Sequence, residues 1–181
     1  YLLALLDASY KNDSSAFVDM KLGKAEEAQA LYIQGIDTGV SVFCSRMGIS
    51  DEYKEEFRQL YMEMLGKVRY TVDTAEKQSD GSYIVSVTYE KMRIFEPALT
   101  LYQEKVAALG DAWKNSDDVL SEEEIVERVI LEFKESMEKV LSEVTYEEAA
   151  SMNVKIELED NVYTPNAEDI MELEKALFDG E

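Results

Sequence analysis

The sequence predicts an α+β domain: several amphipathic helices packed on a small, mainly antiparallel, curved sheet. Two observations carry the prediction. Apolar residues recur at three- and four-residue steps through most of the chain, the signature of helices with one buried face. That period drops to two over residues 69–89 and again over 153–159, where strands are expected. The length, 181 residues, fits one domain spanning 1–181, large enough to bury a core without disulfides.

The first helix is read over Tyr1 to Tyr10, with Leu2, Leu5, Leu6 and Tyr10 on one stripe. Lys11-Asn12-Asp13-Ser14-Ser15 breaks it, and Ser14 or Ser15 caps a short helix carrying Phe17, Val18 and Met20. The clearest amphipathic stretch runs from about Lys24 to Met47, through Ala28, Leu31, Tyr32, Ile36, Val40, Phe43 and Met47. Gly35 and Gly39 on this stripe predict a close approach by another element or a bend. Gly48 ends the helix, and Ser50 caps the next, whose face is Tyr53, Phe57, Leu60, Tyr61 and Met64 before a stop at Gly66.

A β-hairpin follows. Tyr70, Val72 and Thr74 share one side of its first strand; Ser79-Asp80-Gly81-Ser82 turns; Tyr83, Val85, Val87 and Tyr89 alternate on the second. Met92 to Phe95 extends that second strand up to Pro97. Helical spacing returns from Ala98 to Trp113 through Leu101, Tyr102, Val106 and Leu109, and Asn115 to Asp118 reads as a loop. Ser121-Glu122-Glu123-Glu124 is a capping box with acidic residues at the positive helix end. It opens a helix that buries Ile125, Val129, Ile130, Phe133, Met137, Val140 and Val144. Val154, Ile156 and Leu158 point inward from a later strand, Asp160-Asn161 turns, and Pro165 precedes a last helix with Ile170, Leu173 and Leu177. A capped helix followed by a strand and an acidic turn occurs twice, so the chain divides into possible pseudo-repeat halves, 1–95 and 96–181.

Composition narrows the function. Thirty-nine acidic residues against 18 basic ones give a formal charge of −21, which opposes nucleic acid and anionic lipid surfaces and suits a solvated surface or a cationic partner. There is no histidine, which removes the commonest general base and zinc ligand. Cys44 is the single cysteine, so it forms no internal disulfide; on a helix, and with no histidine to activate it, it reads as a buried free thiol. No phosphate loop, nucleophile elbow or calcium-loop pattern occurs. The expectation is a non-enzyme, with no catalytic residues, no cofactor and no metal. No apolar run reaches the roughly 18 residues that cross a bilayer. A first residue of tyrosine predicts that a segment upstream of Tyr1 has been removed.

Tyrosine is abundant, at 11 residues. Tyr70, Tyr83 and Tyr89 on the hairpin, with Tyr102 and Trp113 on the following helix, are the candidate ligand-pocket residues: a concave sheet under a helix can hold an apolar pocket with phenolic hydroxyls at its rim. The other reading of the same residues is a core with satisfied hydroxyls.

Three stretches carry a resemblance: Leu5-Leu6-Asp7-Ala8-Ser9-Tyr10-Lys11-Asn12-Asp13, Glu26-Glu27-Ala28-Gln29-Ala30-Leu31-Tyr32 and Ser121-Glu122-Glu123-Glu124-Ile125-Val126-Glu127, followed by the ending Val162-Tyr163-Thr164-Pro165-Asn166. Their order resembles a family of extracytoplasmic lipoprotein domains of unknown function from Gram-positive-type bacteria. The first helix also resembles that of cystatin-like and NTF2-like domains, although the extra helices depart from that plan. The resemblance implies a lipid-anchored domain at the cell surface, touching the membrane only through an anchor upstream of Tyr1, that binds a small ligand or protein partner. The alternative is a cytoplasmic acidic module that docks a basic protein.

Overall fold

The computed structural model describes residues 1–115 and 120–179. Its elements run α1 (Leu2–Tyr10), α2 (Ser15–Asp19), α3 (Ala25–Met47), a 3-10 turn at Asp51–Tyr53, α4 (Lys54–Gly66), β1 (Arg69–Lys77), β2 (Tyr83–Glu90), β3 (Met92–Arg93), α5 (Phe95–Lys114), α6 (Glu122–Ser142), β4 (Thr145–Tyr146), β5 (Ala150–Glu159), β6 (Val162–Pro165) and α7 (Ala167–Ala176). The fold is α+β, as the periodicities predict. An open antiparallel sheet has the order β1-β2-β5-β6, and β3 and β4 form a separate two-stranded ladder.

One face of the four-stranded sheet supplies Val85, Val87, Val154 and Ile156 to the core. The other carries Thr71, Asp73, Thr88 and Ser151, with the Thr88 hydroxyl donating to Asp73 Oδ2 at 2.6 Å and lying 2.9 Å from Ser151 Oγ. Such a division of apolar and polar faces is how an antiparallel sheet meets helices on one side and water on the other. The helical side centres on aromatic rings: Phe43 of α3, Phe57 of α4, Phe95 of α5 and Phe133 of α6 lie with centroids 5.6–6.4 Å apart. A satellite cluster of Ala8, Phe17 and Ala28, with Leu5 against it, ties α1, α2 and α3.

Several local signals act as their chemistry requires. Ser121 Oγ accepts from the Glu124 N–H at 3.2 Å while Glu124 Oε2 accepts from the Ser121 N–H at 2.8 Å, the reciprocal box that the sequence spells. Gly48 adopts φ 68°, ψ 22° and closes α3. Asp160 and Asn161 both have positive φ, 50° and 63°, as a two-residue type I′ hairpin turn demands. That turn forms the β5–β6 hairpin, in which Glu159 faces Val162.

Other expectations are corrected. Met92–Arg93 does not extend β2 but pairs with β4, and α5 starts at Phe95, ahead of Pro97. Pro97 sits in the first helical turn, where an N–H would have no intrahelical partner to lose. Gly66 is the last residue of α4 rather than a left-handed stop, and Lys67 follows it in a right-handed conformation. Ser14 and Ser50 precede their helices without side-chain caps; the Ser15 N–H binds Asp13 Oδ1 instead, and Ser50 Oγ donates to Glu52. Leu31 and Met47 are exposed because α3 buries a narrower stripe than its apolar residues cover. Leu158 is exposed at the margin of the sheet. On α6 only Met137 of the expected face is fully buried, joined by Leu141, Ser136 and Glu132. Residues 116–118 of the expected loop lie outside the described residues.

Candidate functional site

The site begins with an irregularity in β1. Val72 faces Val87 and Ala75 faces Val85, so three steps on β1 match two on β2, a β-bulge. The extra residue moves Thr74 off the inner face and puts Ala75 there, against the alternation read from the sequence. A methyl group thus stands where a longer side chain would otherwise fill the sheet surface. Beside it, Tyr83, Val85 and Ile156 form the floor, Tyr163 of β6 one wall, and Tyr1 with Leu2 of α1 the roof of an open cleft of about 310 Å³.

The cleft lining is aliphatic and aromatic. The Tyr83 and Tyr163 rings meet edge to face, centroids 5.6 Å apart and planes inclined at 66°. The Tyr1 hydroxyl donates to the Tyr163 carbonyl and ties the start of α1 to the edge strand. Burial raises the Tyr1 phenol above its usual range, so it stays protonated and able to donate. Lys77, paired with Tyr83 across the hairpin, holds Nζ 5.9 Å from the centroid of the Tyr83 ring.

Of the five candidate residues, Tyr83 lines this cleft and the other four do not. Tyr70 is buried beside α1: its hydroxyl donates to Asp7 Oδ1 at 2.8 Å, its ring meets Tyr10 edge-on, and Lys11 Nζ lies 4.1 Å from its centroid. Burial first, then the bond to Asp7, drives its phenol strongly upward. Tyr89 faces Tyr70 across the hairpin and packs half-buried on the core. Tyr102 stands edge to face with Phe133, 5.4 Å between centroids, in the helical aromatic cluster. Trp113 lies half-buried in the last turn of α5. Tyr1, Tyr163 and Ala75 belong to the cleft without having been singled out. The turn at Asp160-Asn161 signals the hairpin that carries Tyr163, but no local signal brings residues 1 and 163 together.

A second, polar recess of about 530 Å³ lies between the 3-10 turn and the start of α6, lined by Glu52, Tyr53, Ser121, Glu123, Glu124 and Glu127. Lost hydration, then the neighbouring carboxylates, raises the Tyr53 phenol. Cys44 is fully buried, and burial pushes its thiol above the usual range, away from nucleophilic use. Among the described residues no group of three or more acidic or sulfur side chains is arranged to hold a metal ion, and no helix is long and apolar enough to cross a membrane.

No family model matches the sequence, and no curated protein does. Among solved structures the chain is similar to the crystal structure of YcdA from Bacillus subtilis subsp. subtilis str. 168, which bears the name "putative lipoprotein". The two share 18% sequence identity with a TM-score of 0.69, over 99% of this chain and 55% of YcdA. The chain therefore spans about half the length of that protein, and what the two demonstrably share is a fold.

Proposed function

We propose that this chain is a non-enzymatic, extracytoplasmic binding module, held at the cell surface by a lipid anchor, whose cleft between α1 and the β1–β2 hairpin takes a small ligand. The observation that carries the binding half is the cleft itself, about 310 Å³ of mainly apolar space opened by the β1 bulge. A pre-formed concave apolar site with a few convergent hydroxyls is the form small-molecule sites usually take. The likeness to YcdA and the resemblance of the sequence to surface lipoprotein domains support the anchored, extracytoplasmic setting.

The uncharged fluorophore N-phenyl-1-naphthylamine tests the cleft. It is expected to bind saturably at one site with enhanced emission, and Ala75→Trp, which fills the floor from an exposed position, is expected to abolish the signal while leaving the melting temperature nearly unchanged. Equal binding by a folded Ala75→Trp protein would move the site elsewhere. The anchor is tested on the gene: the coding sequence upstream of Tyr1 should read as a signal peptide ending in a cysteine.

The second reading, a cytoplasmic acidic module that docks a basic protein, draws on the recess lined by Glu52, Glu123, Glu124 and Glu127. The capping role of Glu124 explains part of that acidity without any partner. A start codon with no signal peptide, together with strongly salt-dependent binding of a lysine-rich peptide, would favour it.

A further inference from the structure

Resting on the cleft reading above, we propose that the ligand class is cationic: a small organic ammonium, alkylated on nitrogen, seated against the Tyr1, Tyr83 and Tyr163 rings. Three features of the molecule point to it. The lining combines tyrosine rings with aliphatic side chains and includes no arginine or lysine, Lys77 standing outside it against the Tyr83 ring. The edge-to-face pair Tyr83–Tyr163 makes an aromatic corner, and the face of a tyrosine ring attracts a cation through its quadrupole, most strongly where water is displaced. The formal charge of −21 gives the molecule as a whole a bias toward cations and against carboxylates, phosphates and sulfates.

Lys77 supplies an internal version of the same contact. Its ammonium already lies 5.9 Å from the Tyr83 centroid, close enough to feel the ring and exposed enough to leave. A ligand ammonium replaces it there, and Lys77 then acts as a built-in competitor.

Three isosteres that differ in charge decide the matter, titrated calorimetrically into the 181-residue protein: choline, 3,3-dimethyl-1-butanol and 3,3-dimethylbutyrate. Choline is expected to bind about tenfold more tightly than the alcohol, and the butyrate not to saturate. Lys77→Met is expected to tighten choline binding. Tyr83→Leu and Tyr163→Leu, each checked for native far-UV circular dichroism, are expected to weaken it by about the same tenfold. Equal binding of choline and the alcohol overturns the cationic inference. So does tighter butyrate binding that Lys77→Met destroys, which would make Lys77 an anion anchor. If none of the three binds while the uncharged fluorophore does, the cationic class is wrong and the cleft reading stands; if the fluorophore fails as well, both fall together.

Discussion

Glu174 of α7 illustrates how one carboxylate links stability to pH. Its Oε1 accepts a hydrogen bond from the buried Tyr10 hydroxyl at 3.1 Å. Lost hydration raises its carboxyl above the ordinary value of 4.5, and the Tyr10 bond offsets only part of that. Glu174 in turn helps raise Tyr10 and, after burial, Tyr61, whose phenol is pushed up to about 12. A carboxyl with a raised folded-state pKa holds its proton longer in the native protein than in the unfolded chain, so its contribution is full below the unfolded value and is lost as pH rises through the folded one. The contribution of Glu174 to stability should therefore decline as pH rises above 4.5, and Glu174→Gln, which keeps an acceptor for Tyr10, should flatten that slope and melt higher at pH 7. Thermal melts of both proteins from pH 4 to 7 check this; parallel curves would discard it. Glu132 shows why such residues escape a sequence reading. A glutamate on an apolar helix face reads as outward, yet it is buried with Lys105 Nζ, from α5, at 3.1 Å, and that partner lies far away in sequence.

Gly35 and Gly39 fall on one face of α3 and look alike in sequence, but their surroundings differ. A Cβ on Gly39 would lie 2.3 Å from the Tyr61 hydroxyl oxygen, whereas one on Gly35 meets nothing within 4 Å. Gly39→Ala should therefore destabilise, by forcing Tyr61 and α4 away, while Gly35→Ala should stabilise by about 0.5–1 kcal/mol through helix propensity alone. Urea unfolding of the two variants separates them, and a stabilising Gly39→Ala would mean that Tyr61 yields freely. The long elements were legible because the packing period holds over many residues, with a cap in agreement at Gly48 of α3 and Ser121 of α6: α3, α4, α6 and the β1–β2 hairpin lie close to where their apolar spacing puts them. The four-residue β6 escaped because a short, largely exposed edge strand shows no alternation of burial. The cleft was half legible. Tyr83 was visible as an inward residue of β2, but the bulge that admits Ala75 is a shift between two strands, and one strand's pattern does not contain it.

At the scale of the whole molecule the charge acts on everything. With 39 acidic residues and 18 basic ones, many ion pairs along the helices still leave a large negative excess, and the compact state holds that excess together at a cost. Raising sodium chloride from about 0.02 to 0.5 M shortens the screening length from roughly 20 Å to a few ångström, and the melting temperature should rise by several degrees. A fall would mean that the surface pairs outweigh the repulsion. The Asp179 carboxylate has a consequence in time rather than in energy. It accepts from the N–H groups of Ile94, Phe95 and Glu96, finishing the start of α5 from 83 to 85 residues further along the chain, while the Asp179 N–H binds the Met92 carbonyl. On a ribosome, α5 and β3 emerge long before the residue that completes them. At roughly 5–20 residues per second they wait several seconds or more with that end open. The native arrangement there closes late in synthesis, and during the wait the nascent chain exposes the same backbone donors to any chaperone or neighbour that reaches them first.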